Sequence, residues 1–243
     1  LFTGGTISMR VDPAAGGAVP SLGADDILAS ARGVEEIAEV RAEQWGRHPG
    51  PHMTVGRQWA LRARIVELLA DAAVDGIVVT HGTDTLEETA YLVARSVESA
   101  KPVVFTGAMR SASDLGWDGP ANLLDAVRVA AAPEARGVGT MVVMGGHVFA
   151  GLEDTKAHTH MLDAFDAPGL GPIGVVDEGR VIFRRWLRGT PATLAPEAPA
   201  EPIDIVAAWA GCDARLLDAS RESGARGVVV AAMGRGNVPP EMA

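Results

Sequence analysis

Three apolar runs, each closed by small or hydroxyl-bearing residues, constrain this chain more than any other feature. "GIVVT" (residues 76–80), "PVVFT" (102–106) and "GTMVVMGG" (139–146) are continuous rather than alternating. Continuous runs rich in β-branched residues suit parallel strands covered on both faces. Between them lie helical patterns. Leu86, Ala90, Val93, Ala94 and Val97 share one face over 85–98, and Leu123, Leu124 and Val127 line the inner side of 120–131. Strand, loop, helix, repeated, predicts an α/β fold with a doubly wound, mostly parallel sheet and right-handed crossovers. A chain of 243 residues, 47% hydrophobic, can supply the core such a sheet needs.

The remaining segments extend that plan. "LFT" reads as the stub of a buried strand, 4–25 as a long Gly/Pro/Ala-rich loop, the stretch near 25–31 as a short helix and 38–45 as a strand. "GRHPGPHM" (46–53) is a loop. Leu61, Ile65, Leu68 and Leu69 predict a helix over 59–72. "GPIGVVDEGRVIFRRW" (171–186) predicts a hairpin turning at Glu178 and Gly179. The stretch 188–202 is a Pro/Ala-rich linker, after which a second strand–helix–strand set follows. The expected domain plan is therefore 1–187, a linker at 188–202, and the beginning of a smaller C-terminal α/β domain at 203–243. The chain starts inside a strand, without an initiator Met, and stops just after another strand. It reads as a piece of a longer, apparently truncated chain.

Charge narrows the function. A net charge of -10 opposes approach to a polyanion, so neither nucleic acid nor an anionic membrane is an expected partner. No apolar run approaches the ~20 residues of a membrane span. The lone Cys212 cannot form an internal disulfide and reads as a small buried hydrophobe. With no trace of a leader, the cytoplasm is the expected compartment, although a leader could have been lost with the start of the chain. Six histidines include "HTH" (His158, His160), yet there is no HExxH and no cysteine cluster, so no metal site is expected. "TGGT" follows a strand but carries neither the GxGxxG fingerprint nor the Walker lysine. No cofactor is called for.

In a doubly wound sheet, ligands bind in the crevice outside the carboxyl ends of the strands. "FTGGT", "VTHGTDT" and "FTGAMRS" all follow apolar strands there. The turn "HGTDTLEETA" (81–90) has a plain reading. Asp84 with Glu87, or Thr85 with Glu88, fits a capping box at the start of a helix, and taken alone the motif favours that reading. Capping does not account for "TGGTI" (3–7) or "GAMRS" in equivalent positions.

Together these segments resemble the bacterial-type L-asparaginase/glutaminase family. "TGGTI" is similar to its first motif and "HGTDTLEETA" to its second. "KPVVFTGAMR" (101–110), "DGPANLLDAV" (118–127) and "DTKAHTHMLDAF" (154–165) also look like the family, in order and with family-like spacing. The resemblance implies hydrolysis of a side-chain amide through a covalent acyl-enzyme, in a homo-oligomer (dimer or tetramer). It implies Thr6 as nucleophile and Thr83 as the second threonine, and the sequence leaves open which of the two attacks. Lys156 would sit against Thr83, lowering its hydroxyl pKa or accepting its proton. Asp84 would receive the substrate's α-ammonium and help hold Lys156. A threonine hydroxyl needs such help because it is a weak nucleophile at its own pKa.

Gly50, Pro51, Gly82 and Ala108 fall near the family's other substrate-binding positions. Two departures stand out. The first loop has no tyrosine to close over the substrate, since the single tyrosine is Tyr91. "HPGPHM" stands where a Ser and a polar neighbour usually grip the substrate carboxylate, leaving backbone groups or His52 to substitute. The expected function is an L-asparagine amidohydrolase. The alternatives are a glutaminase, an amidotransferase subunit of the same fold, or a catalytically silent descendant that binds an amino acid.

Overall fold

The computed structural model describes residues 1–187, 194 and 197–243. It divides into two compact units, Leu1–Ala195 and Pro196–Ala243. The expected linker at 188–202 lies mostly outside the described residues.

The first unit is built on β1 (Phe2–Gly4), β2 (Met9–Asp12), β3 (Gly17–Pro20), α1 (Ala24–Ser30), β4 (Gln44–His48), α2 (Val55–Ala70), β5 (Ile77–Thr80), α3 (Leu86–Ser96), β6 (Val103–Thr106), α4 (Gly119–Ala131), β7 (Thr140–Met144), β8 (His147–Ala150), β9 (Thr155–Lys156), β10 (Phe165–Asp166), β11 (Gly174–Asp177) and β12 (Arg180–Phe183). Eight strands form one sheet in the order β12-β11-β8-β7-β6-β5-β1-β4. From β4 to β7 the pairing is parallel, and β8, β11 and β12 add an antiparallel edge. The chain goes from β1 to β4 on one side and then to β5 on the other. The order therefore reverses around β1, the position at which sheets of this kind bind ligands.

Period-two alternation persists inside the apolar runs. Ile77, Val79, Val103, Phe105, Val142 and Met144 face a cluster with Leu61 and Ile65 of α2 and Leu86, Ala90 and Val93 of α3. Val104, Met141 and Val143 face the opposite layer, with Ala126 and Val129 of α4. Phe2, Ile7, Ile27 and Leu123 continue that second layer toward α1. Each fully buried side chain of this size contributes about 1.5–3 kcal/mol, so the sheet is a rigid platform.

Several expectations are corrected. The supposed loop 4–25 contains the antiparallel hairpin β2–β3, with Met9 opposite Pro20 and Asp12 opposite Gly17. The strand expected at 38–45 runs instead over Gln44–His48, because Ile37, Ala38 and Val40 pack as side chains onto the α1/α4 layer. Helix α2 starts earlier than expected, with Thr54 accepting from the Arg57 N–H as its N-cap. "GTMVVMGG" is a strand plus a two-glycine turn, with Gly145 and Gly146 at positive φ, sending β8 back antiparallel. The hairpin at Glu178 and Gly179 forms where expected. Both residues have positive φ, as a tight two-residue turn requires.

The second unit contains β13 (Ile203–Ala207), α5 (Arg215–Glu222) and β14 (Gly227–Ala231), with β13 and β14 parallel. Val206, Cys212 and Met242 form its small apolar cluster, which buries the single thiol.

Candidate active site

The site grows from the turns that follow β1, β4 and β5. Their backbones are packed so tightly that only glycine fits. A Cβ on Gly5 would lie 2.5 Å from the Gly82 Cα, and one on Gly82 would lie 2.4 Å from the Gly50 Cα. Gly5 also has φ +80, which L side chains rarely adopt. The three turns thus form one stack, and the residues after them, Thr6, Thr83 and Asp84, are brought together by backbone contact. On the next strand, a Cβ on Gly107 would meet the His81 carbonyl at 2.7 Å.

Thr83 and Asp84 do not cap α3. The N-cap is Thr85, which makes no side-chain capping bond. Its hydroxyl donates instead to the Gly50 carbonyl at 2.9 Å, tying the β5 turn to the β4 turn. Lys156 Nζ donates to Thr83 Oγ1 at 2.9 Å and to Asp84 Oδ1 at 2.7 Å. Neither glutamate completes a box. Glu87 Oε2 accepts the Lys156 backbone N–H, and Glu88 accepts from Gln58 at 3.4 Å. The capping reading of "HGTDTLEE" is overturned because the side chains of Thr83, Asp84, Thr85, Glu87 and Glu88 all bond to partners outside the helix start.

The Lys156–Asp84 pair is unequally covered, with side chains 16% and 54% exposed. A pair so open to water contributes at most ~1 kcal/mol to stability. What it does is fix an ammonium against a threonine hydroxyl that is itself buried.

His81 anchors the turn from below. It is buried, its Nδ1 lies 2.8 Å from the Gly82 carbonyl, and its Nε2 lies 3.0 Å from Thr89 Oγ1. A carbonyl only accepts, so Nδ1 carries the proton, and the single Thr89 hydroxyl proton has two acceptors within reach, Nε2 and the Thr85 carbonyl at 3.1 Å. Burial depresses the imidazole pKa to about 4, with the Gly82 carbonyl opposing that shift. Sequence reasoning gave this histidine no role. Its signal was position, immediately after a buried strand.

The β1 turn is built differently. Thr3 Oγ1 donates to the Thr80 carbonyl at 2.8 Å and Ser8 Oγ to the Gly5 carbonyl at 2.8 Å, so both buried hydroxyls flanking Thr6 serve the backbone. Thr6 itself is half-buried and opens a short 3-10 turn that leads into the β2–β3 hairpin. That hairpin is held by the Ala112 N–H to the Met9 carbonyl and the Val11 N–H to Ser113 Oγ, both 3.0 Å.

Of the other expected residues, Gly50 is buried against Asp84, while Pro51 is exposed and has no N–H to offer. Ala108 packs its methyl among Phe2, Ile7 and Leu123, so only its main chain could serve a ligand. Asp118 holds the "GAMR" loop by accepting from the Met109 and Arg110 N–H groups at 2.9 Å. His158 and His160 are exposed and not in a strand, and no cluster of three metal-ligating side chains occurs among the described residues. Nor is any described helix long and apolar enough to cross a membrane.

Comparison with known proteins adds family evidence to this geometry. Residues 1–188 match the model of the family described as "Asparaginase, N-terminal". The chain is 39% identical to the "Probable L-asparaginase" of Deinococcus radiodurans, covering all of this chain and 73% of that protein. It is 33% identical to the "Glutaminase-asparaginase" of Pseudomonas aeruginosa, over 98% of this chain and 68% of that one. The crystal structure of a probable cytoplasmic L-asparaginase from Campylobacter jejuni superposes with a TM-score of 0.91 at 29% identity, covering 99% of this chain and 76% of that one.

Proposed function

Because this chain belongs to the asparaginase family, we propose that it is an amidohydrolase that converts L-asparagine and water to aspartate and ammonia through a threonine acyl-enzyme. The single observation that supports this best is Lys156 Nζ bonded at once to Thr83 Oγ1 and Asp84 Oδ1. In the proposed reaction, Thr6 Oγ attacks the side-chain amide carbon. The C–N bond breaks, ammonia leaves with the proton taken from the hydroxyl, and water then cleaves the ester. The Thr83–Lys156 pair carries the proton and stabilises charge, and Asp84 orients the lysine while its second oxygen receives the substrate's α-ammonium.

Backbone donors complete the site. The neighbouring N–H groups are occupied, Gly5 by the His48 carbonyl, His81 by that of Thr106 and Thr85 by that of Gly82. Those of Thr6, Gly82 and Thr83 are the proposed oxyanion donors, each worth about 2.7–4 kcal/mol in the transition state. Gly50 and Ala108 would contribute main-chain groups to the substrate, and Pro51 a wall. No cofactor takes part.

Glutamine is proposed as a second substrate, favoured by the relatives named glutaminase-asparaginase. One methylene changes binding by only ~1–3 kcal/mol. A homo-oligomer, the cytoplasm and the domain plan 1–187, 188–202 and 203–243 remain part of the proposal.

The test is ammonia release from L-asparagine and L-glutamine by the full-length protein beside Thr6→Ala, Thr83→Val and Lys156→Met. General acid–base and nucleophile losses are expected to lower kcat by on the order of 10²–10⁴, with thermal stability nearly unchanged. Full turnover by Thr83→Val or Lys156→Met would sink the assignment of that pair.

A further inference from the structure

Lys156 is held at two points. Its ammonium goes to Thr83 and Asp84, and its backbone N–H goes to Glu87 Oε2 on α3. Just before β9 the chain makes a tight turn, in which the Glu153 and Asp154 N–H groups both donate to the Ala150 carbonyl, at 2.9 and 3.1 Å. That turn packs on α3, since a Cβ on Gly151 would lie 3.4 Å from the Ala90 carbonyl.

The two acids of the turn have opposite fates. Glu153 is gripped by Arg185 through both carboxylate oxygens. Asp154 points both of its oxygens into the interior, where among the described residues neither has a hydrogen-bond partner. An unpaired carboxylate in such a place is strongly disfavoured, and proteins escape the cost by keeping the proton.

The charges around it give no relief. Glu87, on α3, is the near neighbour and has the same sign. Arg185 is committed to Glu153, and Lys156 to Asp84. On β10, the strand paired with β9, Asp166 is exposed and accepts from the Ala167 N–H. Burial first, and the Glu87 charge second, raise the Asp154 pKa to about 7.

We propose that Asp154 is a positioning residue for Lys156: as a neutral carboxylic acid beside Glu87 it leaves the Glu87–Lys156 backbone bond undisturbed, and its ionisation sets two carboxylates against each other next to β9 and loosens the lysine. Displacement of a catalytic group by ~1 Å is enough to cost on the order of 10²-fold in rate. The part of this inference that concerns turnover rests on the catalytic role proposed above for Lys156.

A convenient internal reference exists, because the chain has only two lysines, Lys101 and Lys156. Lys101 Nζ donates to the Leu69 and Asp71 carbonyls, far from Asp154 in sequence. The experiment measures the rate at which an amine-acetylating reagent labels Lys156 relative to Lys101, from pH 5.5 to 8.5. The full-length protein is compared with Asp154→Asn, and kcat for ammonia release is followed in parallel. Asparagine fixes the neutral form. The labelling ratio is expected to match in the two proteins at pH 5.5 and to be several-fold higher in the wild type at pH 8.5. Over the same range the wild-type kcat should fall relative to Asp154→Asn by on the order of tenfold.

Identical labelling profiles in the two proteins would overturn the inference, whatever the turnover. A wild type that releases no ammonia at any pH, yet shows the expected labelling difference, would overturn the catalytic reading and leave the inference standing.

Discussion

The turns after β1 and β5 each end a buried parallel strand and each present a threonine, but they are built to opposite designs. Thr83 is buried, bonded to Lys156 and fixed from beneath by His81, Thr89 and the Gly82 carbonyl. Thr6 is half-buried, and it leads into an exposed hairpin strapped down by two long-range hydrogen bonds. A site needs preorganised charge where a proton is handled and room to move where substrate enters. In the proposed mechanism the difference between the turns is a division of those two tasks.

Breaking the contact between the turns is expected to have the largest effect. Gly82→Ala would put a methyl 2.4 Å from the Gly50 Cα, with backbone on both sides and no flexible side chain to yield. A loss of about 3 kcal/mol is expected from such overpacking, read as a drop in the denaturant midpoint, together with loss of ammonia release. Gly16→Ala, in the open hairpin tip, meets nothing within 4 Å and should cost far less, limited to strain from its φ of +68.

His81→Gln should come next, at about 2 kcal/mol for losing its buried hydrogen bonds. Its pH dependence is more informative. His81 titrates near 4 when folded and near 6.5 when unfolded, so between those values the unfolded chain binds the extra proton. Stability from this group is full above pH 6.5 and falls as pH drops toward 4, by roughly 3 kcal/mol. Asp154 has the opposite sign. Its raised folded pKa means the folded chain holds the extra proton, and stability falls as pH rises from about 4 to about 7. The two slopes oppose each other between pH 4 and 6.5. Relative to the wild type, stability against unfolding should therefore rise with pH in Asp154→Asn and fall with pH in His81→Gln. Parallel curves for all three would refute both assignments.

The smallest effect is expected at the hairpin strap. Ser113→Ala removes the acceptor for the Val11 N–H at an exposed site, costing roughly 0.5 kcal/mol. The signature should be kinetic, with KM for asparagine raised a few-fold and kcat held. An equal fall in kcat would mean that the hairpin belongs to the rigid half of the site.

How much of this was legible in the sequence follows the same contrast. β5, β6 and β7 and the helices between them were readable because continuous apolar runs and 3.6-residue periodicity are local signals. The β2–β3 hairpin was not, since its Gly, Pro and Ala content reads as loop and the residues it is tied to, Ala112 and Ser113, lie far away in sequence. β4 was misplaced because Ile37, Ala38 and Val40 are apolar for a packing reason rather than as a strand. In the site, Thr83, Asp84 and Lys156 were found through several motifs in register with a known family. Glu87 was visible only as a capping partner, and Asp154 only as an acid beside a lysine. Their roles depend on contacts 69 residues apart, such as Glu87 to the Lys156 N–H, which no local pattern encodes.

The division of labour between the two turns can be tested by finding which threonine carries the acyl group. The full-length protein would be mixed with L-asparagine, quenched in acid during turnover and mapped peptide by peptide by mass spectrometry. An aspartyl ester on the peptide containing Thr6, absent in Thr6→Ala and accumulating in no peptide containing Thr83, is the expected result. An ester on the Thr83 peptide would contradict it, reversing the roles proposed for the two turns.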